Sequence, residues 1–406
     1  MPIYEYQCDA CEGIFDALRK LSDPPLTQCR LCQAEGQVRK NVTAPAFRLK
    51  GSGWYETDFK QGGKRIDIGT VGQKTAVATA LFAPPGSTTL ITLPTGGGKT
   101  AIATNICELA ASKGKRIYFN CHRRELVDQA VERLRQFGLR PGRIQAGARE
   151  HRHLPVQVAS IPTLVRRDHW PADLVIVDEC AHVVSASWKT VLDRYEGAWI
   201  VGLTATPIRL DGRGLGDLFG CIIEPVTTRE LIEQGHLVEP RVFAPEVDLK
   251  GLRVRAGDYA LPELAERMSG LVGSLTKEWL KHAKGQPTVA FAVNVAHSHD
   301  IVRAFRSVGV RAEHIDGGTA NAARARTLAK LKRGEIDLVS NCMVLSEGWD
   351  LPSLKCAILA RPTKSLALFR QMVGRVMRPP GPVTVINHAG NHHEHGRVTD
   401  EIAWSL

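Results

Sequence analysis

No stretch of the 406-residue chain approaches the ~20 consecutive apolar residues that cross a bilayer. Apolar runs such as 289–293 and 174–177 stop far short of that length. The start, Met1-Pro2-Ile3-Tyr4-Glu5-Tyr6, lacks the basic end and the apolar stretch of a secretory signal. A cytoplasmic protein with no membrane partner is therefore expected. Short-period repeats are also missing. Hydrophobic residues at 43% and charged residues at 23% are ordinary globular proportions, which excludes a disordered or collagen-like chain. At ~150 residues per domain, the length predicts two or three domains.

Acid is the scarcer charge. Asp plus Glu number 42 against 53 Lys plus Arg, a formal net charge of +11. Residues 1–60 hold eight basic and eight acidic side chains, so the whole surplus lies in 61–406. A basic chain of this kind favours a polyanionic partner, because each neutralised phosphate releases counterions.

Ten cysteines are present, and in a reducing compartment they are not expected to form a disulfide framework. Cys8, Cys11, Cys29 and Cys32 stand apart from the rest as C-x2-C, a 17-residue gap, and C-x2-C. That spacing fits two knuckles closing one tetrahedral Zn²⁺ site. Four thiolates leave no open coordination position, so the site is expected to be structural.

From about residue 70 the chain alternates between strand-like and helix-like segments. Strands are expected at 88–93, 116–120, 156–160, 174–177 and 199–204, with helices at 99–112 and 124–137. A second block follows the Lys284-Gly285-Gln286-Pro287 break, with strands at 288–293, 337–341 and 356–360. Its helices are expected at 296–307, 323–332 and 365–373. Alternation of this kind predicts mostly parallel sheets with helices on both faces. Between the blocks, Thr227 and Glu230 are placed as a capping box, with Gly235 as the stop.

Two segments carry chemistry. Leu93-Pro94-Thr95-Gly96-Gly97-Gly98-Lys99-Thr100 follows a strand and opens a helix. Glycines there let backbone N–H groups approach a triphosphate, and the helix N-terminus adds positive dipole. Lys99 would sit on the β- and γ-phosphates of ATP, with Thr100 on Mg²⁺. The first glycine of the usual pattern is replaced by Leu93. In Leu174-Val175-Ile176-Val177-Asp178-Glu179 a buried strand delivers two carboxylates at its C-terminal end, where ligands bind in open α/β sheets. Asp178 can hold Mg²⁺, and Glu179 can orient or deprotonate a water.

These segments belong to an ordered set. With Asp178-Glu179-Cys180-Ala181-His182 go Thr204-Ala205-Thr206-Pro207, Ser346-Glu347-Gly348-Trp349-Asp350 and Gln371-Met372-Val373-Gly374-Arg375-Val376-Met377-Arg378. The set resembles the superfamily 2 helicases of the DEAD/DEAH-box kind, over roughly 66–406. The bacterial branch related to excision-repair helicases and restriction-enzyme motor subunits is the nearest in pattern. The tail from Ile386-Asn387-His388-Ala389-Gly390 to Trp404-Ser405-Leu406 also looks like that branch. Residues 1–60, with Pro2-Ile3-Tyr4-Glu5-Tyr6 and Lys50-Gly51-Ser52-Gly53-Trp54-Tyr55, resemble the FmdB family of small zinc-ribbon proteins.

The resemblance implies an α/β fold of two RecA-like parallel-sheet lobes preceded by a small zinc ribbon. Boundaries are expected at 1–60 for the ribbon, 66–222 for the first lobe, 223–284 for an inter-lobe connection and 285–406 for the second lobe. It implies an ATP-dependent helicase or translocase, with DNA favoured over RNA as partner. By position, Gln73 would read adenine, and Thr95, Gly96, Gly97, Gly98, Lys99 and Thr100 would hold the phosphates. Thr204 and Thr206 would couple hydrolysis to lobe movement. Gly348 and Asp350 would face the nucleotide from the second lobe, and Arg375 and Arg378 would reach the γ-phosphate. Arg123, Arg124 and Thr163 would touch the nucleic-acid strand. One position departs from the family. Where its box has His or Asp stands Ala181, and His182 one step later is either a substitute through a local shift or a surface histidine.

Two rival readings remain open. One is a regulatory nucleic-acid-binding protein with weak or no ATP turnover. The other is the motor subunit of a restriction system, whose nuclease would come from a partner. The ribbon, with no net charge, is expected to dock a protein or to position substrate.

Overall fold

The computed structural model describes residues 3–11, 13–18, 26–36, 38–40, 76–77, 80, 83–84, 86–122, 124–167, 170–182, 186–209, 212–255, 257–345 and 351–406. Two compact units emerge, Met1–Lys64 and Arg65–Leu406.

In the first unit, Ile3–Cys8 is the centre of a three-stranded antiparallel sheet, flanked by Ile14–Leu18 and Val38–Lys40. Tyr6 pairs with Phe15 on one side and Lys40 on the other. A lone bridge between Gln28 and Glu35 closes the second cysteine knuckle.

The second unit contains two wholly parallel sheets. The first has seven strands, in the spatial order Cys221–Ile223, Thr88–Thr92, Trp199–Thr204, Leu174–Asp178, Ile117–Cys121, Val156–Ser160 and Gly142–Ile144. Its central strands are buried along almost their whole length, as the continuous apolar runs of a sheet covered on both faces require. The helix Lys99–Ser112 buries Ile102, Ala103, Ile106, Cys107 and Ala110, a helical stripe that packs against Ile91 and Phe119. On the opposite face Leu90, Tyr118, Val175 and Val177 pack with Trp188 and Tyr195.

The second sheet has six strands, in the order Pro240–Phe243, Val383–Ile386, Cys356–Leu359, Thr288–Phe291, Leu338–Asn341 and Ala312–Ile315. Trp279 and Phe305 meet edge to face beneath it at 5.3 Å. The stretch 223–284 contributes the edge strand Pro240–Phe243, a two-residue hairpin pair at Val254–Arg255 and Asp258–Tyr259, and the helices Leu261–Ser269 and Val272–His282. Among the described residues, no helix is long and apolar enough to cross a membrane.

Register aligns the C-terminal ends of the first sheet's strands. Thr92 pairs with Thr204, Asp178 with Leu203, and Cys121 with Ser160. The segments singled out in the sequence therefore leave the sheet along one edge.

Candidate active site

The glycine-rich turn begins one residue after its strand. Leu93 is fully buried, and its N–H donates to Thr204 O at 2.9 Å. The position expected to be glycine is thus a core residue that prolongs the ladder. The left-handed steps fall instead on Gly96 and Gly98, each at φ 91°. Gly98 is the N-cap of the helix Lys99–Ser112, and among the described residues no side chain caps it and no acid sits in its first turn. The first amide N–H groups are left for an outside acceptor, which is what a phosphate needs. The cradle is tight. A Cβ on Gly97 would come within 3.0 Å of Pro94 O, and one on Gly96 would run into the Arg378 guanidinium.

Asp178 ends its strand, and Glu179 turns the chain at φ 51°, a left-handed conformation rare for a residue with a side chain. The Glu179 N–H donates to Asp178 Oδ1 at 3.0 Å. Lys99 Nζ lies 3.8 Å from Glu179 Oε1. Burial pushes the Asp178 carboxyl up to about 7; the Glu179 charge adds to this and Lys99 opposes it. Glu179 Oε2 is buried with no hydrogen-bond partner among the described residues. An orphaned carboxylate oxygen beside a raised acid is the hard-oxygen setting that a divalent cation and its water would satisfy. Ala181 lies in the short 3-10 turn Cys180–His182 and is 7% exposed, so its methyl joins the core instead of bridging polar groups. The His182 side chain lies outside the described residues.

The second sheet supplies the opposite wall. The helix Leu366–Gly374 starts at Ser365, whose hydroxyl accepts from the Leu368 N–H at 3.3 Å. It ends at Gly374, where a Cβ would come within 2.5 Å of the Thr95 side chain. Just beyond it, Arg375 is buried and Arg378 lies against Gly96. Two residues that no motif marks complete the enclosure. A Cβ on Gly97 would meet Leu231 at 3.1 Å, and one on Gly96 would meet Leu237 at 2.9 Å. Leu231 sits on the helix Thr228–Glu233, whose capping box is formed in both directions between Thr227 and Glu230. That box was the signal for the helix, but nothing in the sequence shows where its leucine points.

Thr204 and Thr206 are both buried. The Thr204 hydroxyl donates to Thr206 O at 2.9 Å, and Thr206 Oγ1 has no partner among the described residues. Arg124 opens the helix Arg124–Gln136, and Thr163 lies in the short helix Ile161–Leu164. Both follow neighbouring strands on the same sheet edge as the glycine turn. Gln73, Arg123, Gly348 and Asp350 lie outside the described residues.

In the first unit the Sγ atoms of Cys8, Cys11, Cys29 and Cys32 all lie within 4.8 Å of one another. Cys8 to Cys32 is 3.7 Å and Cys11 to Cys29 is 3.9 Å. Zn–S bonds of about 2.3 Å in a tetrahedron give S···S edges of about 3.8 Å, so the quartet fits zinc. The Leu31 N–H donates to Cys29 Sγ at 3.3 Å, a contact that holds a thiolate in place.

Comparison with known proteins follows the same division. Residues 1–42 match the family described as zinc ribbon domain, 70–209 that of the type III restriction enzyme res subunit, and 271–380 the helicase conserved C-terminal domain. A 51.5 kDa protein of a Lactococcus phage (isolate 7-9) is 31% identical, over 78% of this chain and 68% of that protein. IRC3 of Saccharomyces cerevisiae, an ATP-dependent helicase by name, is 29% identical over 74% of this chain, which spans only 47% of the yeast protein. Among solved structures, an HsdR-subunit fragment of a type I restriction enzyme from Vibrio vulnificus has a TM-score of 0.61 at 23% identity. That match covers 79% of this chain and 63% of the fragment, and it is a likeness of fold.

Proposed function

Because the chain belongs to the superfamily 2 helicases and carries a zinc ribbon ahead of its helicase lobes, we propose that it is an ATP-driven translocase or helicase on nucleic acid. DNA is the favoured partner, since relatives named as a DNA 3'-5' helicase and a DNA 3'-5' translocase match 72% and 71% of this chain. The observation that carries the reading is the Arg378 guanidinium lying against Gly96, in the glycine turn whose Lys99 stands 3.8 Å from Glu179.

In this reading the backbone of Thr95 through Thr100 cradles the phosphates, and Lys99 bridges the β- and γ-groups. Mg²⁺, when bound with ATP, neutralises the phosphate oxygens. Asp178 and the Thr100 hydroxyl would hold it. Glu179 orients the attacking water and draws off its proton, a task suited to a carboxylate with one oxygen unpaired. Arg378, with Arg375 behind it, meets the charge that develops on the transferred phosphoryl group. The Leu93 to Thr204 hydrogen bond joins the glycine turn to the buried threonines, which supports their coupling role. Gln73 would contact the base, and Gly348 and Asp350 the nucleotide from the second lobe. Arg123, Arg124 and Thr163 would follow the strand along the sheet edge. The zinc ribbon is a structural module for docking a protein, and the whole chain acts in the cytoplasm.

ATPase measurement with single- and double-stranded DNA and RNA tests the reading. Turnover stimulated by DNA is expected, and turnover indifferent to every nucleic acid would overturn it. A second reading, motor subunit of a restriction system, is favoured by the fold likeness to the HsdR fragment. It predicts that DNA cleavage appears only when a partner subunit is added.

A further inference from the structure

The tail beyond the helix Asn391–His395 plays no part in the reaction just described, yet it touches both sheets. Val398 is buried in the main apolar core and anchors it. Past that anchor, Asp400 O accepts a hydrogen bond from Arg370 Nη2 at 2.6 Å. The same guanidinium lies 5.5 Å from the centre of the Trp404 ring. Arg370 stands on the helix Leu366–Gly374, which leads directly into Arg375 and Arg378. Burial raises the pKa of Glu224, the residue after the first sheet's edge strand Cys221–Ile223, and Trp404 and Arg370 beside it pull it back down.

The tail then reaches the first lobe. A Cβ on Gly214 would come within 2.8 Å of the Leu406 carbonyl carbon, and one on Gly216 within 3.1 Å. Neither glycine is left-handed, so their lack of a side chain, and not backbone freedom, is what the contact uses. One cation is therefore shared among a tail carbonyl, a tail indole and the surroundings of a first-sheet carboxylate. Its burial lowers the Arg370 pKa, and the charges of Glu224 and Asp400 oppose that.

We propose that residues 397–406 are a strap that fixes the arginine-bearing helix of the second sheet against the first sheet, with Trp404 as its pin and Arg370 as a positioning residue for Arg378. The proposal rests on the helicase reading above. A helix rotated slightly about its axis carries Arg378 off the γ-phosphate, and a misplacement of ~1 Å costs ~10²-fold in rate. The strap is a surface contact, so the expected loss is smaller.

Steady-state ATPase with saturating DNA tests it in a double-mutant cycle. Trp404→Ala is expected to lower kcat ~10-fold with the ATP KM within about two-fold, and Gly216→Ala to act in the same direction. In an Arg378→Ala background, Trp404→Ala should cost nothing further, because the group it positions is gone. Equal losses in both backgrounds, or wild-type kcat in Trp404→Ala, would overturn the strap. Seating is also read without turnover, by trypsin cleavage after Arg397 followed by mass spectrometry. Both Trp404→Ala and Gly216→Ala should speed that cut several-fold, and unchanged cleavage would equally overturn the proposal. A wild-type chain with no DNA-stimulated ATPase would remove the helicase reading, while the trypsin comparison would still decide the strap.

Discussion

The two parallel sheets each contain an inner strand that turns into a helix, and they finish that turn in opposite ways. In the second sheet, Thr288–Phe291 leads to the helix Val295–Ser307, where the Asn294 side chain accepts from the His297 N–H at 2.8 Å. The Val293 N–H is taken up as well, by His297 Nδ1 at 3.3 Å. In the first sheet, Thr88–Thr92 leads to Lys99–Ser112 through Gly98, which offers no side chain to accept anything. One sheet satisfies the N-terminus of its helix; the other keeps those donors available. Phosphate affinity in this chain is thus expected to follow from what the turn withholds, and the fold alone does not confer it.

Removing the chemistry beside the uncapped helix should have the largest effect. Lys99→Ala and Glu179→Gln are both expected to abolish ATP hydrolysis. Lys99→Ala should also weaken nucleotide binding, whereas Glu179→Gln should bind ATP and stall. Nucleotide titration alongside ATPase assay separates the two, and near wild-type turnover in either variant removes that residue from the mechanism.

Next comes the contribution of the opposite wall. Arg378→Ala should leave ATP binding within a few-fold and cut DNA-stimulated turnover by ~10³ or more. Arg378→Lys should rescue poorly, because an ammonium lacks the guanidinium fork. Near-normal stimulated turnover would mean that the two sheets do not build one site.

The comparison itself can then be inverted. Gly98→Asn puts the residue type that caps the second sheet's helix at the start of the first sheet's helix, at a position where asparagine tolerates a left-handed backbone. A hydrogen bond to a charged group is worth ~1.5–3 kcal/mol, so ATP affinity should fall ~10-fold or more while the melting temperature moves only a few degrees. Unaltered affinity would show that the free donors do not matter. Conversely, Asn294→Ala should cost ~1 kcal/mol of stability, read by chemical denaturation, and leave the ATP KM unchanged. The smallest effect is expected from the ribbon. Metal analysis should find one zinc per chain, and deleting 1–60 should change DNA affinity by less than about two-fold, because that segment adds no positive charge.

The sequence showed where strands and helices lie better than it showed how they meet. The helix over 99–112 and the strands over 156–160 and 199–204 have the expected bounds, because the helix is a long periodic run and the strands are short, mostly apolar runs. The capping box at Thr227 was legible because its two hydrogen bonds are local. The strands Cys221–Ile223 and Pro240–Phe243 were not, since three or four half-exposed residues become strands only through a distant partner. Val383–Ile386 was hidden for a different reason: the preceding Pro379-Pro380-Gly381-Pro382 looks like a break in structure. Residue types singled out Lys99, Asp178 and Glu179, and the fold brings the three together. The contacts of Leu231, Leu237 and Trp404 depend on how segments far apart in sequence pack, which no local pattern records.

The two leucines over the glycine turn have a consequence for the local dielectric. Leu231 and Leu237 are 0% and 2% exposed, so hydrocarbon stands where bulk water would otherwise screen the charges below. Two unit charges ~4 Å apart attract by only ~1 kcal/mol in water but by ~4 kcal/mol at an effective dielectric constant near 20. The two leucines would therefore strengthen the forces among Lys99, Glu179 and Arg378, and on a phosphate held there in the proposed reaction. A polar side chain at Leu237 would weaken those forces without touching a single charged group.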